Sequence, residues 1–138
     1  MTQKKFFGHP PQLSNLFHIE LWERFSFYGM QAILMIYLYY AADKGGLGID
    51  ESLAGAVVGA YSGSVYLATV GGGWLADRVL GSERTLFWSG VVVMAGHIVL
   101  ALLPGVAGLV GGLILIGAGS GGVKASAGTM VGSLYESE

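Results

Sequence analysis

Four long apolar runs divide the chain, each near the roughly 20 residues that carry a helix across a bilayer. They cover Leu13 to Ala42, Leu53 to Ala76, Thr85 to Leu103 and Val106 to Tyr135. Polar or turn-forming stretches separate them: Asp43–Glu51, Asp77–Arg84 and the Pro104-Gly105 pair, with His9-Pro10-Pro11 ahead of the first. The pattern predicts an all-α membrane protein of four transmembrane helices within residues 1–138.

The first run departs from simple apolarity. Glu20, Glu23 and Arg24 fall at i, i+3 and i+4, which one helical face can hold, and Tyr28 and Gln31 extend that face by two turns. Ionisable groups at membrane depth cost a few kcal/mol each on insertion scales, so they are usually functional. A headgroup-anchoring pair needs one acid and one base; two acids with a guanidinium exceed that. Such a stripe suits a proton and anion site, because arginine grips a carboxylate bidentately and a glutamate in low dielectric can titrate. Lys124, mid-way along the fourth run in Gly121-Gly-Val-Lys124-Ala-Ser, is a second intramembrane charge, expected to pair with Glu20 or Glu23.

Glycine patterning adds packing information. Gly55, Gly59 and Gly63 form a double GxxxG on the second run, a spacing that lets helix backbones approach closely. Gly111 to Gly128 is similarly glycine-dense and should lie tight against neighbours or line a cavity. Within it, Gly117-Ala-Gly119-Ser-Gly-Gly122 matches GxGxxG, with Glu136 or Glu138 at a ribose-binding distance, but an apolar glycine-rich setting makes that match uninformative.

Composition narrows the class. The 138 residues are 53% hydrophobic and 12% charged, with mean hydropathy +0.61, which excludes an ordinary soluble domain. A net charge of −2 offers no basis for nucleic-acid binding. Without cysteine there is neither a disulfide framework nor a thiolate metal site, and His18 and His97 have no second ligand at metal spacing. The start does not read as a signal peptide, since Glu20, Glu23 and Arg24 interrupt the apolar region behind Lys4 and Lys5. Among loop cations, Lys4, Lys5, Arg78 and Arg84 fall on one side and Lys44 on the other, so the N-terminus and the second-to-third loop are expected to be cytoplasmic.

Glu20-x-x-Glu23-Arg24-Phe-Ser-Phe-Tyr28-Gly29 resembles the ExxERFxYYG signature of proton-coupled oligopeptide transporters, a branch of the major facilitator superfamily. Gly73, Asp77, Arg78, Gly81 and Arg84 resemble the superfamily's loop motif, and Lys124 falls where the branch carries its fourth-helix lysine. The resemblance implies a transporter and not an enzyme: uptake of di- and tripeptides across the cell membrane, with protons as the coupling ion and no cofactor. It implies that Arg24, with Tyr28, Gln31, Tyr66 and Lys124, contacts substrate, and that Glu20, Glu23, Arg24 and Lys124 couple protonation to it. Asp77 and Arg78 would latch a cytoplasmic gate, Asp77 accepting from a helix N-terminus and Arg78 or Arg84 reaching acids on another bundle.

Three departures stand out. Phe27 replaces the first tyrosine of Tyr-Tyr-Gly, Gln31 stands where many members carry a second arginine, and Ala125-Ser126 replaces the Pro-Asn from which a break in the fourth helix would be expected. Members have twelve or fourteen helices in two six-helix bundles, so four helices correspond to the first part of the N-terminal bundle. The chain is expected to be a fragment that needs the remainder of the transporter, or to work by assembly. Two other functions share these features: a transporter of another small anionic solute on the same fold, and a non-transporting membrane assembly protein that uses the GxxxG face.

Overall fold

The computed structural model describes residues 5–136, leaving Lys4 and Glu138 outside the described residues. Its frame is four helices: α1 (Gln12–Tyr39), α2 (Glu51–Leu75), α3 (Ser82–Leu102) and α4 (Gly105–Glu136). Each begins and ends within a few residues of its apolar run, because Pro, Gly and Asp punctuate the same boundaries that hydropathy marks. The first run ends earlier than Ala42: the chain becomes extended at Tyr40, and Ala42–Lys44 forms a 3-10 turn. The loop then folds back, with Leu47 N–H donating to the Tyr37 carbonyl (2.9 Å) and Ile49 N–H to that of Leu38 (2.8 Å). Those bonds satisfy carbonyls that the end of a helix otherwise leaves unpaired. Asp50 caps α2 by accepting from the backbone N–H of Ser52 (3.0 Å) and Leu53 (3.4 Å).

Beyond α2 the chain continues into a five-residue π-helical turn, Ala76–Leu80, and stops at Gly81, whose φ of +80° a side chain would oppose. The predicted loop there is therefore almost entirely helical. The segments Glu51–Leu80, Ser82–Leu102 and Gly105–Glu136 are long and apolar enough to cross a membrane. At 28 residues α1 has the length but not the apolarity, because Glu23, Arg24 and Gln31 dilute its apolar half.

At the centre is α4. Of its apolar stretch 56% is buried, against 11% in α2 and 17% in α3. The most enclosed helix is the one with the smallest side chains, which follows from backbone contact. A Cβ on Gly72 would lie 2.7 Å from Gly122 Cα, and one on Gly96 would lie 2.9 Å from the Gly112 carbonyl oxygen. Helices this close gain dispersion contacts that bulkier residues would prevent. With Ala125-Ser126 in place of Pro-Asn, α4 runs unbroken.

The double GxxxG is not part of this packing. Gly59 and Gly63 face open space, and Gly55 meets only Met35 at 3.9 Å. Among the described residues, the packing glycines are instead those of α4 and their partners on α2 and α3, where the three helices pack most extensively. The GxGxxG match lies mid-helix with all four of its glycines buried, and no strand precedes it among the described residues, so it lacks a phosphate-binding turn.

By contrast, α1 leans on α2 and α4 but stands off α3 across a cleft. Its buried stripe is Leu16, Glu23, Phe27, Met30, Leu34 and Leu38, a spacing of threes, fours and sevens that marks one helical face. Below Glu23 on that stripe, Phe27 to Leu38 join Ala54 and Val65 of α2 and Ile116 of α4 in the larger apolar cluster. One member of an otherwise apolar stripe is a carboxylate, and the candidate site is built around it.

Candidate functional site

Glu23 points from α1 into the bundle and meets Lys124 from α4, with the ammonium nitrogen 3.3 Å from both carboxylate oxygens. Of these side chains only 6% and 19% is exposed. Glu20 and Arg24 form a separate pair one turn apart on α1, with Arg24 Nε donating to Glu20 Oε2 at 3.1 Å. Their side chains are 27% and 58% exposed. The charges read from the sequence as one face thus divide between two. The 100° step between successive residues turns Arg24 away from the stripe on which Glu23 sits.

The choice left open by sequence, Glu20 or Glu23 for Lys124, is settled geometrically in favour of Glu23. Among the described residues these two are the ion pairs, and they link different things. Glu23–Lys124 joins residues 101 positions apart on different helices; Glu20–Arg24 joins residues four apart on one.

Aromatic rings complete the buried side. The Lys124 ammonium lies 5.3 Å from the centre of the Phe27 ring, within cation–π range. Phe27 in turn stacks on Tyr61 of α2, ring centres 6.1 Å apart and planes inclined by 26°. Tyr61 fits because Gly117 leaves room for it; a Cβ there would stand 3.3 Å from the tyrosine ring. Neither Tyr61 nor a role for the Phe27 ring was apparent from motif comparison. The signal for Tyr61 was its place at i+7 from Ala54 and i−4 from Val65, the two buried positions of α2.

On the outward side, Tyr28 follows Arg24 by one turn and is exposed, as is Tyr66 on α2. Gln31 does not join that open surface freely, since its amide donates to Ser62 on α2, whose hydroxyl donates to the Val58 carbonyl (2.9 Å). His97 of α3 bonds Ser26 of α1 through Nε2 at 2.6 Å, and His18 Nδ1 bonds the Ser14 carbonyl at 2.6 Å. Both histidines are thus hydrogen-bonded, and the described residues contain no cluster of His, Cys, Asp and Glu able to hold a metal.

The loop-motif residues lie on and around the turn between α2 and α3. Gly73 backs onto Ala125, and Asp77 and Arg78 sit exposed on the π-helical turn. Gly81 occupies the N-cap of α3, which has no side-chain cap among the described residues, and Asp77 lies four residues before it on the π-helical turn. Arg84 is exposed in the first turn of α3.

A family model described as Major Facilitator Superfamily matches residues 24–138. The chain is 48% identical to a di-/tripeptide transporter of Lactococcus lactis, over 99% of this chain and 28% of that protein. It is 41% identical to a peptide transporter of Yersinia enterocolitica, over 96% of this chain and 26% of that protein. The fold superposes on a crystal structure of peptide transporter POT with TM-score 0.90 at 51% identity, covering 96% of this chain and 27% of the other. A POT family transporter in complex with 5-aminolevulinic acid gives TM-score 0.92 at 41% identity, with the same coverages. The chain therefore spans about a quarter of the length of the relatives it matches.

Proposed function

The chain belongs to the Major Facilitator Superfamily, and we propose that it acts as part of a proton-coupled importer of di- and tripeptides, within a multi-pass membrane protein. The observation that carries the proposal is the buried Glu23–Lys124 pair bridging α1 and α4. In a low-dielectric interior, an ammonium and a carboxylate hold each other while both are charged, and removing either leaves the other without compensation. A proton on Glu23 neutralises the carboxylate and weakens its hold on Lys124. Lys124 is then available to a substrate carboxylate, and α1 is released from α4. Protonation and substrate thereby bias the same helix pair, which is what coupling requires.

Substrate capture is assigned to the outward face. Arg24 is exposed, held by Glu20 and followed by Tyr28, so its guanidinium can turn to a peptide carboxylate in bidentate geometry. Tyr66 is exposed and available as a further hydroxyl. Gln31 contributes by way of Ser62 or after leaving it. Exposed Asp77, Arg78 and Arg84 suit a gate whose counterpart lies in the rest of the transporter, and the two faces that α4 leaves uncovered, the Arg24 side and the Gly55–Gly63 side, suit contact with it. Loop cations favour a cytoplasmic N-terminus.

The test is uptake of radiolabelled dialanine by the full-length protein in vesicles with an imposed proton gradient. Accumulation that unlabelled dipeptide abolishes, and that nitrate or free amino acids do not, is the expected result. Failure of dipeptide to compete would remove the peptide assignment. Orientation can be tested directly because the 138 residues contain no cysteine. A Ser82→Cys variant, in full-length protein made otherwise cysteine-free, should react in intact cells only with a membrane-permeant maleimide.

A further inference from the structure

Protonating Glu23 carries a cost within the bundle. When Glu23 takes a proton, an ammonium inside the bundle loses its counter-charge, and a lysine so stranded resists the step. Among the described residues no second acid replaces Glu23. Glu20 is engaged with Arg24 on the outward face, and the other titratable groups around Glu23 are His18 and His97, which line the hollow it shares with α3. From α2 the neighbouring group is Tyr61, and from α4 it is Lys124 itself.

What does face the ammonium is the Phe27 ring at 5.3 Å, 8% exposed and therefore largely desolvated. Cation–π attraction is strongest under that condition. The ring is held by stacking on Tyr61, and Tyr61 is seated by the glycine at position 117. Among the described residues the buried Tyr61 hydroxyl has no hydrogen-bond partner. Resting on the coupling role of Glu23 and Lys124, we propose that Phe27 and Tyr61 form an aromatic shelf that keeps Lys124 in place as a cation while Glu23 is protonated. Phe27 holds the lysine, and Tyr61 is a positioning residue that acts through the Phe27 ring.

The sign follows from which state the shelf favours. While Glu23 is charged the ammonium is shared between carboxylate and ring, and once Glu23 is protonated the ring is its remaining partner, so the shelf favours the protonated state. Removing the shelf therefore penalises the protonated state more, and Glu23 should need a higher proton concentration to load. An attraction of the size found at desolvated sites corresponds to roughly a tenfold change in proton concentration, about one pH unit.

The experiment uses full-length protein purified in lipid. Infrared difference spectroscopy follows the protonated-carboxyl band that disappears in Glu23→Gln, titrated against pH, and proton-driven dialanine uptake is measured on the same preparations. In Phe27→Met, which keeps apolar volume but has no π face, the band midpoint should move about one pH unit to the acid side. Tyr61→Leu should move it the same way by less, and Tyr61→Phe and Phe27→Tyr should leave it in place. An unmoved or alkaline-shifted midpoint in folded Phe27→Met overturns the shelf. So does an equal shift in Tyr61→Phe and Tyr61→Leu, which would assign the effect to the hydroxyl. Should Phe27→Met fail to fold, Tyr61→Leu decides on the same criterion. The infrared titration does not depend on transport. A wild-type protein that moves no dipeptide would therefore defeat the proposed function, while the band midpoints would still decide for or against the shelf.

Discussion

The two ion pairs of α1 lie within one turn of each other and use the same chemistry, yet they differ in almost every physical respect. Glu20–Arg24 is local, partly solvated and confined to one helix; Glu23–Lys124 spans two helices and is enclosed. Exposed i, i+4 pairs contribute about 0.3–0.5 kcal/mol, whereas stripping one partner from a buried pair costs about 3–5 kcal/mol, because the remaining charge stays buried. One residue step, about 100° of helix, separates these regimes. The difference teaches that the signature ExxER places its charges in two environments: Arg24 on an exposed face, and Glu23 in an enclosed contact between helices.

The comparison can be broken most severely at the buried pair. Glu23→Gln and Lys124→Ala are each expected to abolish proton-driven accumulation in the full-length protein, while dipeptide exchange without a gradient survives. Accumulation at wild-type level in both variants would refute the assignment. Lys124→Ala should also be the less stable of the two, because the carboxylate it strands has no second partner, whereas the ammonium stranded in the Gln variant keeps the Phe27 ring.

Next in size is Arg24→Lys. An ammonium replaces the planar fork, so the KM for dipeptide should rise by roughly tenfold or more, the worth of a bidentate grip. Accumulation should persist at saturating substrate. A wild-type KM would reduce Arg24 to an interfacial anchor. Glu20→Gln should be milder, costing about 0.3–0.5 kcal/mol of thermal stability and weakening as salt is raised. A loss comparable to that of Lys124→Ala would erase the contrast between the pairs.

The smallest expected effect serves as a control for acid sensitivity outside the membrane. Hydrogen bonds from the Ser52 hydroxyl, then from the Leu53 and Ser52 backbone, hold the Asp50 carboxyl below its ordinary value. A carboxylate so depressed contributes stability above the usual aspartate range and loses it as pH falls through the lowered value. Asp50→Asn should therefore remove a shallow acid limb from thermal-melting curves and leave the pH profile of uptake unchanged. A shifted uptake profile would mean that the cap, and not Glu23 alone, reports on protons.

The number, order and rough limits of the helices were legible in the sequence, because hydropathy and Pro/Gly punctuation both act locally. Lys124 as an intramembrane partner was legible too, since few residues could answer its charge. The choice between Glu20 and Glu23 was not, because i+3 and i+4 neighbours share a face on paper and only tertiary rotation tells them apart. Gly55, Gly59 and Gly63 make no close approach within these four helices, for a related reason. A GxxxG spacing shows that a helix can be approached, but not by which neighbour, and in these four helices the close approaches go to α4. The helical continuation through Asp77 was not legible, because hydropathy ends at Ala76 while the backbone runs on into a π turn that stops at Gly81. Phe27 looked like a lost hydroxyl until the lysine was seen above its ring.

The glycine seam of α4 also bears on which positions tolerate substitution. At Gly72, Gly96 and Gly119 even a single methyl group would collide with neighbouring main chain at 2.7–2.9 Å, and backbone cannot rotate aside as a side chain can. The residues least able to change are thus ones that carry no chemical group, while Arg24 and Tyr28 on the open face have space around them for many shapes. In this molecule, mutational intolerance extends beyond the residues that carry chemistry.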